Sequence, residues 1–520
     1  MVEQEPEVLN LNEAASYVRV SERTLREKAR AGRVPCRRVG REWRFLKRAL
    51  EEWLSGGGAS VDGGGAVSEI TNQLYLPTAS KADKPAKAGF GDTAFTKNRD
   101  EPLHRWVPWI AGYSASFVAE ILDRESTEQR RLSVLDPFAG VGTTLVEAVK
   151  RNCDAYGFEI NPYAALACEV KLEAIRRKPQ EVRDAATRLE DELRQRLRAG
   201  APGPASAPPP GFRTRDPFFS PRVERQVLLL KELIAKEKKG WLRKLLMVAM
   251  GSVMVGVSNY SYEPSLGRRV SAGKSPILDA DVPRIMRDKL LLMAEDMAVL
   301  RAARNGSQRS KTRVFCEDYL DTAVKRLGLS SIDVLITSPP YLNNYHYVRN
   351  TRPQMFWLDF AAETADLREL ETSSFGKFWQ TVRGEDPITL AFDYPELREK
   401  IDQLRALNAE RGAYGGPGWA NYAATYFNDC RRFCQVTADV MKPGGLVLVV
   451  IGNNILQGIE FKTDEFFAHI AEESGFQIQG LHIVRKKRTG SSIVNSSVRV
   501  GVMKKKTELH ETAVELRLAV

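Results

Sequence analysis

The most pointed chemistry in the chain lies in Ser338-Pro339-Pro340-Tyr341, which follows the apolar run Ile332–Ile336 and Thr337. Two consecutive prolines restrict the backbone and remove two N–H donors, so carbonyl oxygens remain as acceptors. An amino group on a heteroaromatic ring is a poor nucleophile, because its lone pair is delocalised into the ring. The Ser338 side-chain oxygen and the Pro339 carbonyl could accept its two hydrogens and localise that lone pair. Tyr341 could then stack on the ring that carries the amine. An isolated Pro-Pro pair is only a turn. This one follows a strand and lies downstream of a glycine loop, which favours the catalytic reading.

That loop is Asp136-Pro137-Phe138-Ala139-Gly140-Val141-Gly142-Thr143-Thr144, between a strand and a helix. Its glycines let backbone approach a ligand where a Cβ would collide. Glu159 ends the next strand, seventeen residues beyond Gly142, where a carboxylate can accept from ribose hydroxyls. A dinucleotide loop is excluded because Leu145 stands where the third glycine should be. A P-loop is excluded because no Gly-Lys-Ser/Thr follows.

These residues need elements to hold them. Leu132–Leu135, Ala155–Ile160, Arg313–Cys316, Ile332–Ile336 and the continuous apolar run Gly445–Ile451 are predicted strands separated by helices. Gln477–Val484 and Val498–Met503 are predicted as a terminal antiparallel pair. The expected fold class is α/β, a doubly wound, Rossmann-like sheet with ligands at the carboxyl ends of its strands. The expected organisation is a winged helix-turn-helix domain over 1–54, a linker over 55–95 and a large domain over 96–506. Within the large domain, 172–308 is a mostly helical insertion. A second insertion, 342–421, begins with polar and aromatic residues placed to read a target. Tyr414–Trp419 is expected to be a mobile loop, and Trp109–Phe117 an aromatic helix.

DPFAGVGTT and SPPY together resemble the S-adenosylmethionine-dependent DNA amino-methyltransferases. The resemblance implies transfer of a methyl group to the exocyclic amine of a base flipped out of duplex DNA. It implies cofactor contacts from Asp136, Phe138, Gly140, Gly142, Thr143 and Glu159. Asp318 would meet the adenine amino group, with Glu317 as the competing assignment. Ser338, Pro339, Pro340 and Tyr341 would be catalytic. Lys97–Trp106 resembles the segment that closes over the cofactor's methionine end. Serine at the first tetrapeptide position is commoner among cytosine N4 enzymes and aspartate among adenine N6 enzymes, so cytosine is favoured on that residue alone. Methylation at cytosine carbon 5 needs a Pro-Cys nucleophile, and the only such pair, Pro35-Cys36, lies in the N-terminal module.

The net charge of +11 is uneven, since residues 9–48 hold twelve Lys/Arg against four Asp/Glu. A basic module on a near-neutral body suggests a polyanion-binding attachment. Its pattern predicts helices Glu13–Val18, capped by Asn12, and Glu22–Arg30, capped by Ser21, followed by a basic hairpin. This stretch resembles excisionase and MerR-like winged helix-turn-helix domains, which implies DNA contacts from Arg23, Arg26, Arg38, Arg41 and Arg44. Arg268, Arg269 and Lys274 are further phosphate candidates. None of the six cysteines forms a CxxC pair, and no metal site is expected. The tract Leu245–Val257 reads as a buried helix, so no membrane partner is expected. The N-terminus lacks signal-peptide features, which gives a cytoplasmic expectation. A restriction or defence partner would be a separate chain. RNA or protein-glutamine methylation and a non-enzymatic regulator are the competing functions.

Overall fold

The structure is a computed structural model that describes residues 8–18, 22, 25, 29, 34–39, 42–54, 98–109, 112–127, 130–198, 200–262, 266–302, 310–342, 347–487 and 509–520. The chain divides into two compact units, Met1–Lys87 and Ala88–Val520.

In the first unit, helix Leu11–Tyr17 starts earlier than the sequence pattern predicts. Asn10 Oδ1 accepts the Asn12 and Glu13 N–H groups at 2.9 and 3.0 Å, and the Glu13 carboxylate accepts the Asn10 N–H at 2.7 Å. Asn10 and Glu13 complete a reciprocal capping box, which outcompetes Asn12 as the cap. The basic hairpin is present, with Arg37–Val39 antiparallel to Glu42–Leu46, and Val8–Leu9 pairs on its other side. Ala14, Ala15, Leu25, Ala29, Phe45 and Leu50 form its small core.

The second unit is built on a seven-stranded sheet. Its strands are β1 (Ser133–Asp136), β2 (Asp154–Phe158), β3 (Thr312–Phe315), β4 (Ile332–Thr337), β5 (Met441–Gly452), β6 (Phe476–Lys487) and β7 (Leu509–Leu518). Their order across the sheet is β6-β7-β5-β4-β1-β2-β3. The β5-β4-β1-β2-β3 pairs are parallel, and β7 runs antiparallel to both β5 and β6. Val498–Met503 lies outside the described residues. The observed partner of β6 is Leu509–Leu518, so the unit extends past 506.

Alternate strand residues enter opposite cores, as a sheet buried on both faces requires. Val134, Val334, Ile336, Leu446 and Leu448 face one core, with α1 (Ala115–Glu125), α2 (Thr143–Lys150) and α3 (Pro162–Ala174). Leu135, Leu335, Val447 and Val449 face the other. The first insertion supplies α4 (Pro179–Leu197), α5 (Pro221–Ala235), α6 (Gly240–Met254) and α7 (Val282–Ala302), all packed on the first core. Gly240–Val257 is long and apolar enough to cross a membrane, yet Leu242, Leu245, Leu246 and Met250 are buried in the core. The second core takes α8 (Tyr319–Leu327), then α10 (Gly416–Val440) and α11 (Thr463–Glu473), while α9 (Tyr347–Trp357) returns to the first. Cys430 and Cys434 are buried on α10.

Tyr414–Trp419 is a packed turn and helix start rather than a mobile loop. A Cβ at Gly416 or Gly418 would come within 2.1 Å of a backbone carbonyl oxygen. Trp419 stacks on Trp379 at 5.2 Å, and Arg383 lies over the rings of Trp379 and Tyr414. Close backbone packing explains the glycines that made the segment look flexible.

The segment entering the sheet domain is fastened by buried carboxylates, Glu147 at His104 and Asp296 at three further groups. Asp296 on α7, 1% exposed, accepts the Leu103 N–H and the Trp106 indole N–H, each at 2.9 Å, and pairs with Arg105 at 2.5 Å. Asp296→Ala would leave three donors without an acceptor. We expect a loss of about 3–5 kcal/mol, read as a lower urea midpoint with an unchanged slope.

Candidate active site

Four consecutive neighbours in the sheet end at one cavity of about 380 Å³. Asp136 closes β1, Glu159 follows β2, Glu317 and Asp318 follow β3, and Ser338 follows β4. The parallel register brings these carboxyl ends together from positions far apart in sequence. Phe138, Gly140, Thr143 and Pro340 also line the cavity.

The Asp136 carboxyl is buried and joins three segments. It accepts the Thr337 hydroxyl at 2.6 Å, the Tyr113 hydroxyl at 3.0 Å and the Phe138 N–H at 3.1 Å. Burial nevertheless raises its pKa against those hydrogen bonds. Glu159 accepts the Gly140 and Asn161 N–H groups, each at 2.8 Å. Burial raises its carboxyl to about 7. Asp318 caps α8 by accepting the Leu320 N–H at 2.7 Å, and burial raises its pKa as well. Glu317 is bound to the Arg326 guanidinium, with one contact at 2.8 Å. That engagement makes Asp318 the better placed of the two for a ligand amine.

The two loop glycines have different tasks. Gly140, with φ +51°, lines the cavity, and a Cβ there would come within 3.1 Å of Trp109 Nε1. Gly142, with φ +86°, is absent from the lining. A Cβ there would meet Cys168 Sγ at 2.7 Å, so its role is to seat the loop on α3. From the same helix, the fully buried Lys171 ammonium donates to the Val141 carbonyl at 2.8 Å. Burial lowers its pKa to about 8.

Ser338 donates to the Tyr341 hydroxyl oxygen at 3.3 Å. That use of its proton leaves the lone pairs of Ser338 Oγ to accept from a ligand. The Tyr341 ring packs against the second core rather than lining the cavity, and Pro339 is buried beneath the turn. Burial raises the Tyr341 phenol well above its usual pKa.

The cavity also has walls that sequence reasoning missed. Trp109, Gly112 and Tyr113 line it, while residues 98–106 anchor away from it on Asp296 and Glu147. Trp109 is not helical; α1 begins at Ala115, with Ser114 as its cap. Tyr347 of α9 stacks on Trp109 at 6.3 Å. From the second insertion, residues 372–375 and Lys377 form the opposite wall, where Phe375 meets Phe138 edge-on at 5.2 Å. Tyr347 belongs to the polar and aromatic stretch expected to face a target, and it lines the cavity. The approach of 372–378 depends on a tertiary contact, the Gly376 N–H donated to Asp429 at 2.9 Å.

Of the basic candidates, Arg23, Arg26 and Arg41 lie outside the described residues. For Arg38 the described fact is its place in the hairpin strand. Arg44 is paired with Glu42. Arg268 is paired with Asp216 at 3.1 Å, and Arg269 Nε donates to the Ser275 carbonyl at 2.9 Å. Lys274 is half-buried, and its N–H donates to the Arg269 carbonyl at 2.9 Å.

A mixed α/β sheet with a ligand cavity at its strand ends, following a helix-turn-helix domain, fits a methyltransferase class of protein. The comparisons agree. Residues 8–58 match the helix-turn-helix domain family. The chain is similar to the Type II methyltransferase M.AvaI of Nostoc sp., 24% identical over 80% of this chain and 86% of that protein. It is similar to the Type II methyltransferase M.BsoBI of Geobacillus stearothermophilus, 21% identical over 77% and 83% of the two chains. The Type II methyltransferase M.MvaI of Kocuria varians is 22% identical over 71% and 80%. Over most of its length the chain is therefore similar to Type II methyltransferases, and its residues 8–58 match a helix-turn-helix domain.

Gly142→Ala should destabilise the second unit by about 1–3 kcal/mol, because it combines a left-handed backbone with a side-chain collision. Adding Cys168→Ala should recover the collision part but not the backbone part. Additive losses in that double-mutant cycle, measured by urea unfolding, would show that the two positions are not in contact.

Proposed function

We propose that the chain is a DNA methyltransferase that transfers a methyl group from S-adenosylmethionine to the exocyclic amine of a flipped base, cytosine N4 in preference to adenine N6. The observation that carries the reading is the convergence of Asp136, Glu159, Asp318 and Ser338 on one cavity. Similarity to Type II methyltransferases over most of the chain supports it. We read the sheet as doubly wound and Rossmann-like, because its parallel strands carry helices on both faces.

The cavity residues fit the cofactor. About 380 Å³ is within the usual range for small-molecule sites. Phe138 and Phe375 present apolar ring surface, Asp318 an acceptor for an adenine amine and Glu159 an acceptor for ribose hydroxyls. Asp136, Gly140 and Thr143 border the methionine end. When bound, S-adenosylmethionine supplies a methyl group on a sulfonium centre.

The chain's own residues prepare the acceptor. Ser338 Oγ and the Pro339 carbonyl accept the two amine hydrogens and localise the nitrogen lone pair toward the methyl carbon. The amine nitrogen would take the methyl group, the cofactor leaving as a neutral thioether, and the surplus amine proton would pass to solvent. Tyr341 holds the Ser338 proton away from the incoming nitrogen, so that Ser338 serves as acceptor. The helix-turn-helix unit, with Arg23, Arg26, Arg38, Arg41 and Arg44, adds duplex affinity and performs no chemistry. Arg268 and Arg269, held by Asp216 and the Ser275 carbonyl, serve the architecture of their loop, and Lys274 remains a phosphate contact.

Labelled S-adenosylmethionine incubated with duplex DNA should yield N4-methylcytosine on nucleoside mass spectrometry. N6-methyladenine would reassign the base, and label confined to RNA or protein would overturn the substrate. Ser338→Ala should lower kcat by roughly 10²-fold, by analogy with loss of one positioned hydrogen-bonding group, with cofactor Kd little changed.

Glu159 gives a separate prediction. It accepts from ribose hydroxyls best as a carboxylate, and burial holds its pKa near about 7. Protonation therefore opposes binding, so cofactor affinity should weaken about tenfold from about pH 8 to about pH 6 by linkage. Glu159→Gln should bind more weakly at the higher pH and lose this slope. Calorimetry that found the same slope in both proteins would remove Glu159 from the cofactor site.

A further inference from the structure

One surface beside the cavity is strongly basic, and neither the tetrapeptide nor the glycine loop accounts for it. It is built from residues 212–217, the hairpin of Tyr260–Tyr262 and Leu266–Arg268 with its flanks, and α9. Across 212–217, 258–277 and 347–357 the sequence holds seven Arg/Lys against two Asp/Glu. The rest of the second unit is far closer to balance, so this density is local.

The three segments form one body. Asn350 of α9, 6% exposed, accepts the Leu266 N–H through Oδ1 at 3.0 Å, and its carbonyl accepts the Tyr262 hydroxyl at 3.0 Å. The Arg268–Asp216 ion pair ties the hairpin to 212–217. The Arg352 guanidinium lies over Phe212 and Phe356, each at 5.7 Å, and ties 212–217 to α9. This body reaches the cavity, because Tyr347 and Val348 of the same helix line it.

Arg213, Arg215 and Arg349 are exposed and have no carboxylate or hydrogen-bond partner among the described residues. Arg349 directly follows the cavity-lining Val348. Asp216, the described carboxylate of this surface, is already held by Arg268.

We propose that this body is a phosphate-binding rim, on which Arg213, Arg215 and Arg349 grip the backbone of duplex DNA and hold it at the cavity mouth. The inference rests on the DNA methyltransferase reading above. Unpaired guanidiniums cost nothing to release from internal partners, whereas Arg268 and Arg269 are held within the protein. The former therefore carry the electrostatic contact and the latter the architecture. A base delivered to Ser338 must come from a strand whose phosphates pass close to the cavity, and exposed Arg349 directly follows cavity-lining Val348.

The test uses the full chain carrying Arg213→Gln, Arg215→Gln and Arg349→Gln together, with a duplex oligonucleotide followed by fluorescence anisotropy at several salt concentrations. Three lost phosphate contacts should reduce the slope of log K against log salt by about 2–3 and weaken Kd roughly tenfold or more. Cofactor affinity by calorimetry should stay at the wild-type value, which shows that the cavity is intact. Replacing the same residues by lysine should restore most of the salt slope. If the glutamine variant keeps the wild-type slope while the wild type methylates DNA, the rim is wrong and the enzymatic reading stands. Loss of RNA binding with duplex binding kept would also overturn it. If the wild type neither binds nor methylates DNA, both readings fall.

Discussion

The buried carboxyl of Asp136 is the constraint on which the site depends. Its two oxygens accept from Thr337, from Tyr113 and from the Phe138 backbone. Those three partners belong to the strand that ends in the tetrapeptide, the aromatic approach to α1 and the glycine loop. No backbone hydrogen bond could join all three, because they leave the sheet in different directions. A carboxyl with several lone pairs can. Its cost is burial of an acid, visible as a raised pKa, and the hydroxyl donors offset part of that cost. The consequence is that Ser338, next to Thr337, is positioned by the same group that borders the glycine loop.

The glycine loop is held from behind by a comparable arrangement of opposite sign. Lys171 donates to the Val141 carbonyl and Cys168 Sγ to the Gly140 carbonyl at 3.4 Å. Both come from α3, whose close approach needs Gly142 to lack a side chain. A loop that turned its N–H groups toward a ligand would otherwise leave its carbonyls buried and unpaired, at a cost of about 1–3 kcal/mol each. The buried ammonium is thus structural, and it fixes the loop before any ligand arrives.

The place of the candidate site was legible in the sequence because its residues are set locally, at strand ends. Asp136, Glu159, Asp318 and Ser338 each follow an apolar strand, and a parallel sheet gathers strand ends whatever the length of chain between them. The walls were not legible, because they depend on long-range contacts. Trp109 reads as part of a helix until Ser114 is seen to cap α1. Tyr414–Trp419 reads as a flexible glycine loop, since sequence does not tell a glycine needed for motion from one needed for close packing. Gly142 carries the same ambiguity, resolved by Cys168 rather than by the loop. The cap of the first helix was misplaced by two residues, because Asn10 and Asn12 are equally good caps until Glu13 is paired with one of them.

The insertions divide the remaining work by chemistry. The sheet supplies acids and the tetrapeptide, all of them short-range groups that need a rigid frame. The second insertion supplies apolar wall, with Phe375 against Phe138 and Tyr347 against Trp109. The first supplies charge, carried on a hairpin that touches the cavity only through α9. That connection adds hydrogen bonds from Asn350 and Tyr262 to the apolar packing of Tyr260, Tyr262 and Leu266 on the first core. The directional hydrogen bonds fix the hairpin's register on the helix, which the apolar packing alone would specify less tightly. The basic surface is therefore aligned with the cavity by α9, and α9 is aligned with the sheet where Asn161 donates to Thr351 at 2.7 Å. One hydrogen-bonded joint thus carries orientation from Asn161 to α9 and its Arg349, and a second carries it on to the hairpin.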